Sequence, residues 1–381
     1  MTTNDFIPAI TEKMQAENLS SDLIKSFLRA AQLAHAGDDG VISEDSITPS
    51  TGVADFNQLS AYAAKVIAAL PKCVMIKLNG GLGTSMGLAK AKSLLPVKQG
   101  QCFLEVIANQ VIQLRQQYES TLPLIFMNSF RTEDDTLQTL DEIPGLANGQ
   151  GSLPFSFLQN KVPKLDADNF LPASDENDPD LAWCPPGHGD IYIAMKQSGI
   201  LDTLIVNGYE YAFVSNADNL GASLDPNLLG YLADSKAPFL MEVSDRTSAD
   251  KKGGHIARSK ETGRLLLREV AQTREEEIEV FQDIERHQYF NTNSLWLNLQ
   301  ALQQVIQEHD GIIPLPIIVN RKTIDPTDKT STSVIQLESA MGAAIEVFEG
   351  SQAIRIDRSR FLPVKKTSDL LLLMSDLYLL E

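Results

Sequence analysis

The chain has 381 residues, of which 43% are hydrophobic and 22% charged, and its formal net charge is −18. This composition is typical of a globular protein with one large domain or two smaller ones. Because nucleic-acid-binding proteins need a basic surface, 50 acidic residues against 32 basic ones argue against a nucleic-acid partner. No apolar stretch reaches the roughly 18 residues of a membrane-spanning helix, so no membrane is expected either.

The N-terminus and the cysteines both favour a cytoplasmic protein. The first residues lack the basic start and apolar core of a signal peptide. Cys73, Cys102 and Cys184 are odd in number, far apart and without metal-ligand spacing. We therefore interpret all three as packing residues rather than as disulfide partners or metal ligands.

Residues 1 to about 36 are predicted to be helical. Ser20 to Asp22 provide an N-cap, and Leu23, Ile24 and Phe27 recur on one helical face. Residues 37–50 are rich in Gly, Asp, Ser and Pro and are predicted to be a linker. We expect an N-terminal helical segment and linker over residues 1–60 and the main domain over residues 70–381.

The stretch 74–97, VMIKLNGGLGTSMGLAKAKSLLPV, is the most informative part of the chain. A short apolar run, typical of a buried strand, leads into a glycine-rich segment that Lys90 and Lys92 follow closely. Glycines allow backbone N–H groups to approach phosphate oxygens, so the pattern favours a phosphate-binding loop over an ordinary turn. The spacing fits neither the dinucleotide fingerprint nor the Walker loop, which indicates a phosphate loop of another kind.

A parallel β-α-β unit is predicted around this loop. Apolar residues recur at helical spacing from Phe103 to Tyr118, and the apolar run 123–127 predicts the next strand. Ligands in such sheets gather at the carboxyl ends of the strands. The glycine loop, Met127 and Asn128 are therefore expected on one rim.

The segment 145–186 is predicted to be irregular, with polar residues around Gln159, and it leads into the motif PPGHGD at 185–190. Two prolines fix the backbone and two glycines expose it around His188. A lone histidine is more often a hydrogen-bonded structural residue. The rigid flanks and the predicted helix that follows favour an anion contact instead.

A third strand, 211–215, ends in Asn216 and Asp218. A carboxylate directly after a buried strand and beside amides suits Mg²⁺, which prefers oxygen ligands and binds together with phosphate. The alternative is that Asp218 only caps a turn.

Later elements add a predicted sugar-binding edge and a basic segment. Strands are predicted at 239–243 and 265–270, with Glu269 turned inward, and the segment 290–296 places Asn293 among aromatic residues. His287 and His309 are expected at the surface. The basic run 358–366 is interleaved with apolar residues, which favours a segment held against the protein rather than a solvated face. A leucine-rich helix is predicted over 370–380.

The ordered motifs resemble those of one family. The chain is similar to the eukaryotic-type UTP–glucose-1-phosphate uridylyltransferases, also called UDP-glucose pyrophosphorylases, over residues 77 to 379. The resemblance rests on these motifs in this order: LNGGLGTSMG, MNSF, PPGHGD, VSNADNLGA, DKKGGH, FNTNSLW, QLESAMGAAI and RSRFLPVK with TSDLL.

The resemblance implies an α/β fold, a Rossmann-like mixed sheet flanked by helices, and a nucleotidyltransferase catalytic domain over 70–381. It also implies the Mg²⁺-dependent reaction of UTP with glucose 1-phosphate to give UDP-glucose and pyrophosphate. The family usually has a C-terminal β-helix domain, which is absent from this chain, so the resemblance leaves a monomer or a homo-oligomer open.

Site residues are carried over from the family motifs in four groups. Lys92 and Lys365 match the catalytic lysines, and Asp218 matches the metal ligand. His188, Asn216, Glu269 and Asn293 match sugar-phosphate and sugar contacts. The nucleotide-binding positions are Leu78, Asn79, Gly80, Gly81, Met127, Gln159 and Gly187.

Two alternatives remain open from the sequence. One is the related UDP-N-acetylhexosamine pyrophosphorylase family, which has an arginine where this chain has Ser85. The other is a non-catalytic protein that binds nucleotide sugars. The joint presence of Lys92, Asp218 and Lys365 argues against the second alternative.

Overall fold

The structure, a computed structural model, describes residues 6–82 and 90–375. Its helices are α1 (Phe6–Ala16), α2 (Ser21–His35), α3 (Val66–Ala69), α4 (Phe103–Gln117), α5 (Glu133–Asp141), α6 (Ile191–Gln197), α7 (Ile200–Val206), α8 (Pro226–Ser235), α9 (Ile278–Phe281), α10 (Leu299–Glu308) and α11 (Thr367–Met374). None of the helices in these two ranges is long and apolar enough to cross a membrane.

The strands fall into one large sheet and three small ones. In chain order they are β1 (Ile47–Pro49), β2 (Ala54–Asp55), β3 (Cys73–Asn79), β4 (Pro96–Lys98), β5 (Gln101–Cys102), β6 (Leu124–Asn128), β7 (Ser156–Leu158), β8 (Val162–Pro163), β9 (Leu165–Asp166), β10 (Trp183–Cys184), β11 (Tyr211–Asn216), β12 (Phe239–Asp245), β13 (His255–Ser259), β14 (Leu265–Arg268), β15 (Tyr289–Asn298), β16 (Ile318–Thr323), β17 (Ser333–Glu338) and β18 (Gln352–Arg355).

The large sheet has the order β2-β18-β12-β15-β11-β3-β6-β7. Strand β15 runs antiparallel to both of its neighbours, β12 and β11, whereas β11, β3, β6 and β7 are mutually parallel. Helices cover both faces. This arrangement confirms the predicted mixed α/β sheet.

Strand β3 lies inside the sheet, between β11 and β6, and both of its faces are apolar. Cys73 and Met75 belong to the core that contains α4, and Val74 and Ile76 belong to the core that contains α6 and α7. A continuous apolar run is the pattern expected of a strand buried on both sides. The predicted strands at 123–127 and 211–215 are confirmed in the same way as β6 and β11.

The two N-terminal helices confirm the helical prediction for the described part of residues 1–36. Ser20 caps α2, and its hydroxyl accepts the N–H of Leu23 at 3.2 Å. The buried face of α2 includes Leu23 and Phe27, which pack in one cluster with Ile335 and Leu337 of β17. The segment is therefore docked onto the small sheet of β16, β17 and β9.

Three secondary-structure and burial predictions are wrong. Residues 37–50 are more than a linker, because β1 pairs with β13 of the large sheet. Residues 145–186 contain strands β7 to β10, each of two or three residues, which is too short to produce a recognisable periodicity. His287 is buried rather than exposed, since it stacks on His255 at 3.8 Å and faces Glu44.

The packing predictions for the cysteines and the basic segment are consistent with the structure. All three cysteines are buried and free. The basic segment is held against the sheet by Arg358, which binds the Asp250 carboxylate, and by Arg360. Arg360 forms two bonds of 3.0 Å to Glu242, a fully buried carboxylate on β12 that also accepts the indole N–H of Trp296.

We predict that Arg360→Met lowers the free energy of unfolding by about 3–5 kcal/mol, because it leaves the Glu242 carboxylate buried without its ion partner. Chemical denaturation measures this change. Arg264→Met is the matched control, because the pair of Arg264 and Glu349 is solvent-exposed and should contribute less than about 1 kcal/mol. Equal losses from the two substitutions would contradict the prediction.

Candidate functional site

One pocket opens at the carboxyl ends of β3, β6 and β11, the central parallel strands. It is lined by Leu78, Asn79, Gly80, Gly81, Lys92, Ser93, Met127, Gln159, Pro185, Gly187, His188, Asn216, Ala217 and Asp218. Every position predicted for nucleotide binding is in this lining, together with Lys92, His188, Asn216 and Asp218. The rim predicted from the strand order is where the structure places these residues.

One side of the pocket is formed by Gln159 and Gly187 and is backed by the bonded pair of Asn160 and Asp190, and we call these four residues the base wall. Gln159 Nε2 donates to the carbonyl oxygen of Gly187 at 3.3 Å. Gly187 has φ = 80°, and a Cβ there would lie 2.4 Å from the Ser339 carbonyl oxygen. A Cβ at Gly80 would lie 2.6 Å from Gln159 Oε1. Gly187 is therefore required for the close approach to the Ser339 backbone, and Gly80 leaves room for the Gln159 side chain in its present position.

Asn79 contributes through its main chain, since its side chain is buried and points away from the pocket. Its Nδ2 donates to Asn128 Oδ1 at 2.8 Å and to Thr136 Oγ1 at 2.9 Å. Asn79 therefore fastens β3 to β6 and α5. The nucleotide contact predicted for Asn79 would therefore be made by its backbone.

The ends of the predicted phosphate loop are closed by backbone contacts. The N–H of Lys92 donates to the Gly81 carbonyl at 3.1 Å, and Leu82 forms a β-bridge with Ala91. Residues 83–89, which include the remaining glycines of the predicted loop, lie outside the described residues. The closure places the Lys92 side chain at the pocket.

Lys92 and Asp218 form an ion pair inside the pocket. Lys92 Nζ lies 2.5 Å from Asp218 Oδ2, and the two side chains are only 17% and 24% exposed. The other oxygen, Asp218 Oδ1, is buried and accepts no hydrogen bond from the residues that the structure describes. A buried carboxylate oxygen without a donor fits a hard divalent cation such as Mg²⁺.

His188 is held as a neutral hydrogen-bond donor. Its Nδ1 accepts the backbone N–H of Met341 at 2.9 Å, so the ring proton is on Nε2. Burial lowers the pKa of His188 to about 4. At neutral pH the side chain therefore offers an N–H donor without a positive charge.

The predicted sugar residues Glu269 and Asn293 lie outside the pocket lining. Glu242 of β12 pairs with Ser294 of β15, and Val243 pairs with Asn291, so Thr292 and Asn293 form a bulge in β15. Asn293 has φ = 58°. Its Oδ1 accepts from Asn291 Nδ2 at 2.8 Å. Burial raises the pKa of Glu269, and the nearby charge of Lys365 opposes that rise.

The basic segment reaches the site through the loop that follows β11. The N–H of Val364 donates to the Asp218 carbonyl at 3.1 Å, and Pro363 forms a β-bridge with Asn219. The Lys365 side chain is exposed and does not line the pocket. The backbone of Val364, next to Lys365, is thus bonded to Asp218, and Lys365 lies near Glu269.

Sequence reasoning missed three residues at or under the site. Ser93 lines the pocket, and its buried hydroxyl has no partner among the described residues. Lys77 is fully buried and donates to Ser215 Oγ and to the Ala222 carbonyl, both at 2.7 Å. Asp190 is buried against Asn160. The sequence signal that could have found one of them is Lys77, a lysine inside an apolar strand.

The family model of the UTP–glucose-1-phosphate uridylyltransferases matches residues 24–381. The enzyme of that name from Saccharomyces cerevisiae is 43% identical over 316 residues, which are 83% of this chain and 62% of the relative. The one from Hordeum vulgare is 42% identical over 314 residues, 82% of this chain and 64% of the relative. The chain thus spans less than two thirds of the length of these relatives.

Solved structures show the same likeness. UDP-glucose phosphorylase from Trypanosoma brucei superposes with a TM-score of 0.90 at 44% identity, covering 98% of this chain and 80% of that one. A variant of UDP-glucose pyrophosphorylase from Leishmania major in complex with UDP-glucose superposes with a TM-score of 0.91 at 41% identity, covering 99% of this chain and 80% of that one.

The lowered pKa of His188 predicts a pH-dependent contribution to stability. Below its ordinary pKa of 6.5 the histidine takes up a proton in the unfolded chain but stays neutral in the folded protein down to about pH 4. Stability therefore falls as the pH drops through this window. Between pH 7.5 and pH 5, wild type should lose about 1–2 kcal/mol more unfolding free energy than His188→Gln. Denaturation at both pH values, with His309→Gln as the exposed control, measures the difference, and a constant gap between wild type and His188→Gln would overturn the prediction.

Proposed function

The chain belongs to the UTP–glucose-1-phosphate uridylyltransferase family, and on that premise we propose that it transfers the uridylyl group of UTP to glucose 1-phosphate, with Mg²⁺, giving UDP-glucose and pyrophosphate. The observation that carries the proposal is the joint placement of Lys92, Asp218 and His188 in the pocket beside the base wall. A nucleotide with its base at Gln159 would have its phosphates toward these three groups.

The reaction is an in-line displacement at the α-phosphorus of UTP. A phosphate oxygen of glucose 1-phosphate attacks, the bond to the β-phosphate breaks, and pyrophosphate leaves with the electron pair. Because the attacking oxygen is already ionised, the site needs positioning and positive charge rather than a general base. The pocket provides both.

Lys92 and Asp218 would exchange partners when substrate binds. Their ion pair keeps both groups in place, and Lys92 Nζ can move from Asp218 to the phosphates of the nucleotide. Mg²⁺, when bound, would neutralise charge on the reacting phosphates, and Asp218 Oδ1 is the oxygen that would hold it. The described residues contain no group of three His, Cys, Asp or Glu side chains suited to a metal, so phosphate and water would complete the coordination.

His188 and Asn216 would orient the sugar phosphate. The fixed Nε2–H of His188 donates a hydrogen bond to a phosphate oxygen and keeps its direction because Nδ1 is committed to Met341. Glu269 and Asn293 would hold the glucose hydroxyls from the neighbouring strands, and Lys365 would approach from the C-terminal segment. The Asn293 bulge supports this role, because strained backbone is usually retained where it serves a site.

A pyrophosphate-release assay tests the proposed function. The assay uses UTP and a panel of sugar 1-phosphates that includes glucose, galactose and N-acetylglucosamine 1-phosphate, each with and without Mg²⁺. We expect release that requires Mg²⁺ and prefers glucose 1-phosphate. A tenfold preference in kcat/KM for N-acetylglucosamine 1-phosphate, or UTP binding with no pyrophosphate release from any sugar phosphate, would refute the proposal.

We predict that Lys92→Ala and Lys365→Ala each reduce kcat by about 10²–10³, the usual loss when one preorganised charge is removed from a developing anion. Steady-state kinetics with saturating UTP and Mg²⁺ measure the loss. Lys25→Ala is the matched control, since Lys25 is an exposed lysine that pairs with Asp310 far from the pocket. A fully active Lys365→Ala protein with unchanged thermal stability would exclude the role given to Lys365.

A further inference from the structure

The base wall is assembled from two chain segments that are almost 30 residues apart, and a buried carboxylate joins them. Asp190 is 3% exposed. Its Oδ2 accepts the backbone N–H of Asn160 at 2.7 Å, and its Oδ1 accepts the side-chain Nδ2 of the same residue at 2.8 Å. Two donors from one residue fix both the distance and the orientation of the segments.

These bonds belong to a closed ring of hydrogen bonds that includes Gln159. The Gly187 carbonyl accepts the Asp190 N–H at 3.3 Å and also accepts Gln159 Nε2 at 3.3 Å. Both bonds are long, so they are weak on their own. The shorter Asp190–Asn160 bonds therefore join the Gly187 segment to the Gln159 segment, while Ser339 holds residues 186–189 from its other side through backbone bonds of 3.0 Å to Pro186 and 2.9 Å to Gly189.

The N-terminal helices support the ring from outside. Gln197 Nε2 donates to Asn160 Oδ1, and Ser20 Oγ, at the start of α2, donates to Gln197 Oε1 at 2.8 Å. Lys161, the residue after Asn160, pairs with Glu17 at 2.8 Å. Asn160 is thus held on one side by Asp190 and on the other by the docked N-terminal segment.

The orientation of the Gln159 amide matters for the choice between pyrimidine bases. A primary amide presents a donor and an acceptor, and a 180° flip exchanges them. With Nε2 committed to the Gly187 carbonyl, the group left for the ligand is the acceptor Oε1. Uracil has an N3–H that can donate to it, whereas cytosine has an acceptor at N3. A flip would place Oε1 against the Gly187 oxygen, so a correctly placed carbonyl prevents it.

We propose that Asp190 is a positioning residue for base selection: by clamping Asn160 it places the Gly187 carbonyl so that Gln159 is locked in the orientation that accepts from uracil and rejects cytosine. The proposal rests on the proposed uridylyl transfer and adds the group that enforces its base specificity. Asp190 itself touches no substrate.

The test compares UTP with CTP in the pyrophosphate-release assay with glucose 1-phosphate. In Asp190→Asn the introduced amide retains one acceptor and directs its own N–H groups at Asn160, so the clamp opens. We expect the ratio of kcat/KM for UTP over CTP to fall at least tenfold. The loss should appear mainly as a higher KM for UTP, with kcat within a few-fold of wild type and an unchanged KM for glucose 1-phosphate.

A charge-swapped double variant, Asp190→Asn with Asn160→Asp, restores a donor–acceptor match between the two positions. We expect it to recover most of the UTP preference. Asp225→Asn is the matched control, because Asp225 also accepts two N–H groups but caps α8 away from the base wall. A purely structural role for Asp190 would lower thermal stability as Asp225→Asn does and leave the UTP/CTP ratio unchanged.

Should Asp190→Asn fail to fold, Asn160→Ala tests the same clamp, since it removes only the side-chain bonds to Asp190 and Gln197. Calorimetric titration with UDP and CDP then reports base preference without turnover. An unaltered UTP/CTP ratio in a folded variant, or no rescue by the charge swap, would overturn the positioning role alone. Absence of UTP-dependent pyrophosphate release by wild type would instead refute the proposed function.

Discussion

The loop that follows β11 is the constraint on which the site depends, because it holds the Asp218 carboxylate next to Lys92. Several contacts fix it, including the β-bridge of Asn219 with Pro363. The buried Lys77 amino group donates to the Ala222 carbonyl and to Ser215, and the Val364 N–H donates to the Asp218 carbonyl. From the side, Arg360 donates to the Ser223 carbonyl while it is paired with Glu242. The loop position is therefore set by the strands beneath it and by a segment about 140 residues later.

These contacts also bear on how a chain with a net charge of −18 would accommodate the polyanions of the proposed reaction. The buried side chains of Lys77 and Arg360 are committed to carbonyls and to Glu242, so they set geometry and give no free charge to a ligand. Lys92 differs, because its partner Asp218 is itself suited to a metal. A general negative field around a pocket with one exchangeable cation disfavours bare phosphates and favours phosphates that arrive with a metal.

The sequence predicted those parts of the structure that are encoded locally. Continuous apolar runs located β3, β6 and β11, and the residues directly after these strands converge because parallel strands end at one edge. The burial of His287 depends on Glu44, and the role of Asp190 depends on Asn160, which are pairings across long stretches of chain. Of the two- and three-residue strands between residues 156 and 184, β7 and β9 pair with the longer strands β6 and β17, and β8 and β10 pair with each other. Neither local propensity nor periodicity contains such information.

The two sides of the pocket differ in whether their internal bonds would have to break when a ligand binds. The base wall is held by short bonds between the buried Asp190 carboxylate and the half-buried Asn160, and these bonds have no reason to break when a ligand binds. The phosphate side is held by the Lys92–Asp218 pair, which has to open. An anion alone would take Lys92 and leave the Asp218 carboxylate unpaired in a partly buried site, which is unfavourable. A ligand that brings both a phosphate and a metal ion would replace the Lys92–Asp218 pair by two pairs, one between Lys92 and the phosphate and one between Asp218 and the metal. In the proposed reaction, binding of the phosphates and of the metal would therefore be coupled through Asp218, while the bonds of the base wall would stay unchanged.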